Sequence, residues 1–199
     1  TNINIEEIIK VFWILPTMNN LFIGSSKDRR TFYDHMISFF TKEHKKMIKD
    51  YENVKKQRIK ILKFFSLSQQ NLKWLKILEN KMCVLGILIT ENRIEFVNKI
   101  NNLLLSEKNN LPSLRVNLSG GMSENFNKMT ALKLEEGFAN ELYSFREIDK
   151  KTGRTNSNAI SSDFTIYHNC NKLYDKDCST GEQKIMLVSI VMAFIKLLQ

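Results

Sequence analysis

An α/β fold with a long helical hairpin inserted in it is predicted by three features of this 199-residue sequence. A short β-rich apolar run at residues 10–15 is closed by Pro16, as a buried strand would be. Two long stretches then repeat apolar residues at steps of three and four, which is the spacing of packed helices. Strand-like residues 163–168 finally lead into an apolar helix after Ser179. The chain therefore leaves an α/β layer, forms helices and returns.

The first helical stretch starts near residue 26, and the second ends near residue 103. One seam is apolar except at His44 and Arg58, and the other is apolar except at Asn92 and Lys99. The seam positions are 33, 37, 40, 44, 47, 51, 54, 58, 61 and 65, and then 75, 78, 82, 85, 89, 92, 96, 99 and 103. A polar turn at residues 66–71 lets the helices fold back as an antiparallel arm. Each helix should be roughly 50 to 60 Å long, so the arm should project. We expect the polar seam residues to set the helix register or to reach solvent.

The rest of the middle region is predicted to contain one edge strand and one helix. Residues 111–118 alternate apolar and polar, and Gly120 and Gly121 end the strand. An amphipathic helix is expected from residue 123 to about residue 150, and Gly153 closes the turn after it. The chain is therefore divided into a head segment at 1–25, a helical arm region at 26–150 with its strand at 111–118, and a return to the head at 151–199.

The start of the last helix has the most distinctive local sequence, Cys178 followed by Ser-Thr-Gly-Glu-Gln-Lys at residues 179–184. Ser179 and Glu182 have the spacing of a capping box, in which each side chain accepts a backbone N–H of the other residue. Gly181 lies in the first turn, where the lack of a side chain lets a ligand approach the backbone. Free N–H groups and the helix dipole favour an anion there, such as a nucleotide phosphate. A capped helix without a ligand is the alternative interpretation.

Together with two further blocks and a third match, this string resembles the signature motif of the RecF family, bacterial recombination-repair ATPases related to the ABC and SMC proteins. Residues 12–18 are similar to the family's Trp-x-x-Pro-x-Met stretch, and residues 24–34 to its Gly-Ser-x-x-x-Arg-Arg-x-Phe-x-Asp block. Gly153-Arg154-Thr155 with Ser162-Asp163-Phe164 is the third match. The departures are Asn19, where an acidic residue is usual, and Asn158-Ala159-Ile160, where Gly-x-His is usual.

The resemblance implies a fold and a nucleotide site. The chain would form part of an ABC-type P-loop ATPase head with an inserted antiparallel helical arm. In such heads the signature of one copy contacts the γ-phosphate of ATP held by the other, which implies an ATP-dependent homodimer. Ser179 and Gly181 would make the principal contacts, and Gln183 would support the loop. The implied ATP-contacting residues are Ser179, Thr180, Gly181, Glu182, Gln183 and Lys184.

Hydrolysis of ATP is not implied for this chain alone. The sequence contains neither the phosphate-binding loop, Walker A, nor an apolar strand ending in Asp-Glu, Walker B. In the RecF family these lie upstream and downstream of the matched region, so we expect an internal piece of a longer protein. Mg²⁺ would be held by parts of the protein outside this sequence, and no catalytic residue is assigned within it.

By resemblance, the whole protein would be an ATP-dependent DNA-binding protein of recombinational repair, the SOS response and replication-fork maintenance. It would bind single-stranded, gapped or junction DNA and assist recombinase loading with RecO and RecR. Another SMC-like ATPase is an alternative, although SMC coiled coils commonly run longer than this arm. A non-enzymatic helical scaffold is a further alternative, which leaves the signature string unexplained.

Composition also favours a phosphate-rich partner. Thirty Lys and Arg against 21 Asp and Glu give a formal net charge of +9. Lysines crowd the stretch from residue 42 to residue 63, and we take Lys45, Lys46, Lys55 and Lys56 as candidate DNA contacts. The alternative is an ordinary solvated helix face.

Two adjacent arginines, Arg29 and Arg30, lie near a predicted helix start, where cations oppose the helix dipole. A compensating partner is therefore expected. It is either a DNA phosphate or a carboxylate of Asp28 or Asp34 on the adjacent turn, because a guanidinium fits both.

Cysteine usage indicates a reducing compartment, and hence the cytoplasm, because three scattered Cys residues form no disulfide framework. No metal site is assigned. His168, Cys170 and Cys178 lack a Cys-x-x-Cys pairing and a fourth ligand, and we interpret them as packing residues. The apolar run at 185–198 is shorter than the roughly 20 residues that span a bilayer.

Overall fold

The computed structural model describes residues 18, 20–64, 68–106 and 111–199. The strand predicted at residues 10–15 lies outside these residues, as do Asn19 and most of the Trp-x-x-Pro-x-Met stretch. The elements are α1 (Ser26–Ile37), α2 (His44–Phe64), α3 (Gln69–Ser106), β1 (Leu114–Ser119), α4 (Ser123–Phe126), α5 (Ala131–Ser144), α6 (Arg146–Thr152), β2 (Asp163–His168), β3 (Leu173–Tyr174) and α7 (Thr180–Leu197). A 3-10 turn at Asp175–Asp177 joins β3 to α7.

The strands form an antiparallel sheet in the order β1-β2-β3. Leu114 pairs with His168 and Ser119 with Asp163, so the two longer strands are in register over their full length. Both strands were predicted, and the predicted strand at 163–168 agrees with β2 at each end. The turn after β1 needs glycine, because Gly120 and Gly121 have φ values of 79° and 57°, where other residues are strained.

The first predicted helix is broken into α1 and α2 by residues 38–43. At this break Phe39 and Phe40 both contact the ring of Phe194, with centroid distances of 5.4 and 5.8 Å. A continuous helix would turn these neighbours about 100° apart, so packing on Phe194 favours the break. Helix α2 has 21 residues and is roughly 31 Å long, shorter than predicted, whereas α3 has 38 residues and roughly the predicted length.

The helix predicted from residue 123 to about residue 150 is three helices, α4, α5 and α6. The oxygen of Thr130 accepts a hydrogen bond from Lys133 N and caps α5, and this local bond competes with helix continuation. Helices α5 and α6 pack against α3 and α2, so the predicted antiparallel hairpin is covered on one side. The inserted region is a helical lobe, in which α5 and α6 lie beside the predicted hairpin.

Two hydrophobic cores share helix α3. The head core lies between α1, the C-terminal part of α3, β1, β2 and α7, and it buries Phe164 and Phe194 completely. The lobe core lies between α2, the N-terminal part of α3, α4 and α5, and it buries Tyr51 and Leu142 completely. Buried apolar residues of α3 belong to the lobe core as far as Ile89 and to the head core from there on.

A buried ion pair lies at the junction of the two cores. Arg93 Nε and Nη2 donate to the two carboxylate oxygens of Asp34 at 2.8 and 2.7 Å. His44 Nε2 lies 3.0 Å from the same carboxylate, and Asn92 Nδ2 lies 3.1 Å from His44 Nδ1. Of the two expected roles, His44 therefore does not reach solvent, since it is fully buried. It joins α2 to α1 and α3, as a residue that sets the helix register would.

A second buried network centres on Arg58 of α2. Its guanidinium donates to Glu79 at 3.0 Å, to Asp149 at 2.6 Å and to the carbonyl oxygen of Leu142 at 2.7 Å. Arg58 is fully buried and so does not reach solvent, which leaves the register as the expected role that it can have. Lys99 is exposed and pairs with Glu95, as the other expected role requires. The buried guanidinium of Arg58 fits the seam because carboxylates from other elements compensate its charge.

Gly86 and Gly137 allow a paired test of packing inside helices. A Cβ at Gly86 would lie 2.6 Å from Cβ of Ala159, whereas a Cβ at Gly137 would meet nothing within 4 Å. We expect Gly137→Ala to raise the free energy of unfolding by about 0.5 to 1 kcal/mol through helix propensity. Gly86→Ala should lower it by about 1 to 3 kcal/mol, because overpacking against Ala159 outweighs the same gain. Urea denaturation of both variants measures the difference, and an equal stabilisation would contradict the packing at Gly86.

Replacing Asp34 with Asn tests the junction. The variant should lose about 3 to 5 kcal/mol of unfolding free energy near neutral pH, because the buried Arg93 is left without a carboxylate. Burial alone raises the pKa of Asp34, but hydrogen bonds from Arg93 and His44 outweigh it, and the pKa lies below its ordinary value. The stability from a lowered pKa is present above the unfolded-state value of about 3.9 and is lost as the pH falls through the native value.

The penalty of Asp34→Asn should therefore shrink below about pH 4, where the native protein itself begins to lose the carboxylate. Urea titrations between about pH 6 and about pH 3 measure it. Asp28→Asn is the control, because Asp28 is an exposed acid in the capping box of α1 and its loss should cost far less than the loss of the Asp34 carboxylate. A penalty that stays constant with pH would show that the Asp34 carboxylate does not stabilise the junction.

Candidate functional site

Ser179 begins α7 with the predicted capping box. Its Oγ accepts a hydrogen bond from Glu182 N at 3.4 Å, and Glu182 Oε2 accepts one from Ser179 N at 2.7 Å. The hydroxyl of Ser179 also donates to Glu182 Oε2 at 2.7 Å. Hydrogen bonds from the Ser179 side chain and backbone hold the pKa of Glu182 below its ordinary value. In this arrangement the serine proton is directed at Glu182, and a phosphate would have to replace that acceptor.

The backbone next to Ser179 is open to solvent. Thr180 and Gly181 are exposed, and a Cβ at Gly181 would meet no atom within 4 Å. N–H groups in the first turn of a helix have no partner within the helix. No neighbour in the described structure requires glycine at this position, although glycine costs about 1 kcal/mol there relative to alanine. The first turn of α7 thus presents backbone donors without steric cover.

The side chain of Gln183 is hydrogen-bonded to the segment that leads into α7. It is buried, and its Nε2 donates to the carbonyl oxygens of Asp175 at 2.8 Å and Cys178 at 3.2 Å. The Asp175 carboxylate in turn accepts hydrogen bonds from the backbone N–H groups of Ile166 at 3.1 Å and Lys176 at 3.0 Å. Burial raises the pKa of Asp175 despite these bonds. The signature loop is therefore fixed to β2, which sequence reasoning did not predict.

The other members of the signature face outward. Lys184 is exposed on the first turns of α7, and Glu182 Oε1 accepts a hydrogen bond from Asn171 Nδ2 at 2.5 Å. Asn171 lies in the turn between β2 and β3, where Lys172 adopts a φ of 55°. Sequence reasoning missed Asn171 because its partner is eleven residues away.

Arg29 binds a carboxylate that the sequence did not indicate. Its Nε and Nη2 donate to the two oxygens of Asp163 at 2.8 and 2.7 Å, and Nη1 donates to the Gly24 carbonyl oxygen at 2.8 Å. The expected pairing of Arg29 with Asp28 or Asp34 is wrong, because Asp28 caps α1 and Asp34 binds Arg93. The hydrogen bonds with Asp163 raise the pKa of Arg29.

Arg30 is half-buried and donates to the carbonyl oxygens of Ser162 at 3.1 Å and Ser161 at 3.3 Å. Three positions further on, Tyr33 stacks on Phe164 with a centroid distance of 4.3 Å and an interplanar angle of 15°. The block at residues 24–34 and the match at residues 153–164 therefore pack directly on one another. Much of what resembles a family motif in these segments stabilises the head.

The candidate DNA-contacting lysines lie on α2, in the lobe. Lys45, Lys46 and Lys56 are exposed, while Lys55 is half-buried and pairs with Glu52 at 2.6 Å. The signature lies on α7, which packs in the head core. The predicted nucleotide residues and these four lysines therefore occupy separate parts of the molecule, whereas Arg29 and Arg30 lie in the head with the signature.

Cysteine and histidine positions bear on the metal question. Cys178 and His168 are buried, as expected for packing residues, but Cys170 is exposed, so that interpretation is wrong for it. No three His, Cys, Asp or Glu side chains come together as a metal site among the described residues.

Within the same part of the chain, no helix combines the length and apolar character needed to cross a bilayer.

Curated proteins of one name are similar to this chain over nearly its whole length. No family model matches the chain. The protein RecF of Rickettsia bellii, a DNA replication and repair protein, is 31% identical over 196 residues, covering 96% of this chain and 52% of the relative. The chain is a RecF homologue. RecF of Brucella abortus is 31% identical over 190 residues, covering 94% of this chain and 49% of that relative. The chain spans about half the length of the curated relatives it matches.

Solved RecF structures share the fold. The recombination mediator protein RecF-ATPrS of the RecFOR pathway superposes with a TM-score of 0.77 at 19% identity, covering 93% of this chain and 50% of that one. A structure described as RecF-ATP gives the same TM-score at 18% identity. The predicted fold, an α/β part of an ABC-type ATPase head with inserted helices, is thereby confirmed.

Proposed function

We propose that this RecF homologue forms part of an ATP-dependent DNA-binding protein of recombinational repair and replication. The principal support is the open, rigidly held start of α7, where Ser179 caps the helix and Gly181 leaves the backbone uncovered. Curated relatives act in DNA replication and repair, and solved relatives were studied with ATP. Three free thiols agree with a cytoplasmic location.

The nucleotide contact is a γ-phosphate of ATP bound by a second copy. Backbone N–H groups of Thr180 and Gly181 donate to the phosphate, and the dipole of α7 adds to the attraction. Ser179 donates its hydroxyl proton to the same oxygen after releasing Glu182. Lys184 adds a positive charge nearby, and Gln183 keeps the loop in place. The phosphate-binding loop and Mg²⁺ belong to other parts of a RecF-length protein, so dimerisation depends on ATP.

DNA contacts involve the outer face of α2. The exposed ammonium groups of Lys45, Lys46 and Lys56 neutralise backbone phosphates of gapped or junction DNA, with Lys55 beside them. Arg30 is a weaker candidate for a DNA contact, because its guanidinium already donates to backbone carbonyl oxygens. Arg29 is weaker still, because its guanidinium pairs with Asp163. RecO and RecR are the partners that family resemblance suggests for recombinase loading. An SMC-like role is less well supported, because α2 is short and helices α5 and α6 pack against the hairpin.

The signature contact predicts that Ser179→Arg blocks ATP-induced dimerisation of a RecF-length chain containing residues 1–199. A long side chain at this exposed position collides with the opposite copy and removes a charged hydrogen bond worth about 1.5 to 3 kcal/mol. The fold should survive, since loss of the cap costs about 1 kcal/mol. Light scattering with and without ATP measures dimerisation, and a thermal melt measures stability. If the variant is stable and still dimerises with ATP, the Ser179 motif only caps helix α7 and does not contact the nucleotide.

The lysine contacts predict salt-sensitive, sequence-independent binding of duplex or gapped DNA by residues 1–199. Lys45→Glu combined with Lys46→Glu should reduce the slope of log affinity against log salt by roughly 2, one for each lost phosphate contact. Anisotropy titrations over a range of salt concentrations measure the slope. Lys99→Glu is the matched control, because Lys99 is exposed on α3 and already pairs with Glu95. An unchanged slope in the double variant would exclude these lysines from the DNA contact.

A further inference from the structure

Helix α3 exposes an apolar stripe on a side that neither core uses. Trp74, Ile77, Val84 and Leu88 recur at steps of three, seven and four, which places them on one helix face. Their exposed fractions are 50, 55, 47 and 37%. Lys81 occupies the centre of the stripe and is exposed. Within the described structure no other element covers these five residues, which we call the α3 stripe.

A shallow groove extends the α3 stripe towards α2 beside Trp74. It has a volume of about 310 Å³ and is lined by Gln57, Lys60, Ile61, Asn71 and Trp74. Lys60 is exposed at the rim. The groove is large enough for an apolar side chain, and its rim supplies an ammonium group for a carboxylate.

The dimensions of the α3 stripe suit a helix. From residue 74 to residue 88 it spans roughly 21 Å, which equals about four helical turns. A partner helix can pack its own apolar face against apolar residues at this spacing. Contiguous exposed apolar surface on a soluble protein marks an interaction site more often than an isolated apolar residue does.

The positive charge of Lys81 favours an acidic partner helix over a second copy of α3. If a second copy of α3 paired antiparallel about the centre of the α3 stripe, Lys81 would face its own counterpart, and like charges at an apolar contact oppose association. A partner with a carboxylate at this position instead forms an ion pair with Lys81. A second carboxylate near the Trp74 end reaches Lys60.

We propose that the α3 stripe docks an acidic amphipathic helix of another protein. The apolar side chains of that helix pack on Trp74, Ile77, Val84 and Leu88, and its central carboxylate pairs with Lys81. This inference uses neither the first turn of α7 nor the outer lysines of α2. Its success or failure is therefore independent of the function proposed above.

Two fluorescently labelled model helices test the proposal against the 199-residue chain. Each has about 18 residues with leucines at alternating steps of three and four, flanked by glutamates in one peptide and by lysines in the other. Anisotropy should show binding of the acidic peptide and at least about tenfold weaker binding of the basic one. Ile77→Glu should abolish binding, and Lys81→Glu should reverse the preference between peptides.

Leu132→Glu is the matched control, since Leu132 is 65% exposed on α5 and lies off the α3 stripe. It should leave binding of both peptides unchanged, and circular dichroism checks that every variant keeps its helices. Absence of binding by the acidic peptide overturns the proposal, as does equal binding of both peptides. A dimer that Ile77→Glu dissociates in light scattering also overturns it, by assigning the α3 stripe to a second copy. If the unchanged chain binds neither peptide and Ile77→Glu abolishes its binding of DNA, the α3 stripe is a nucleic-acid contact, and the proposal is overturned.

Discussion

The buried pairing of Asp34 with Arg93 is the constraint on which the rest of the structure depends. It lies where α1, α2 and α3 meet, between the head core and the lobe core. Arg93 also donates to the carbonyl oxygen of Ile160 at 2.8 Å and to Ser162 Oγ at 3.0 Å, so the segment before β2 is fixed to the same guanidinium. A buried guanidinium is costly unless its donors are satisfied, so these hydrogen bonds favour the observed placement of the head against the lobe.

Residues that resemble family motifs divide here into two kinds. Arg29, Arg30 and Tyr33 bind Asp163, the Ser161–Ser162 carbonyls and Phe164, so they hold separate parts of the head together. Ser179 and Gly181 have no such internal task beyond the cap, and they face solvent. Family likeness alone does not separate the two kinds of residue. Burial and hydrogen-bond partners do, and they leave the start of α7 as the surface best suited to an external ligand.

Local patterns predicted those parts of the molecule whose causes are local. The capping box of Ser179 involves residues three apart, and β2 is an apolar alternation of six residues, so both were accessible from the sequence. The partner of Arg29 lies 134 residues away, and that of Arg93 lies 59 residues away, so no short pattern contains them. The break before α2 was missed for the same reason, since it depends on contacts with Phe194. The polar seam residues were recognised as unusual, but their buried partners come from other elements.

The continuity of α3 through both cores makes it a lever as well as a support. Its start at Gln69 is 24 residues from Arg93, a distance of roughly 36 Å along the helix axis. A tilt of about 10° at the junction would therefore displace the far end of the lobe by roughly 6 Å, without melting any turn of the helix. A small repacking of the head would thus move the outer end of the lobe by more than one helical turn.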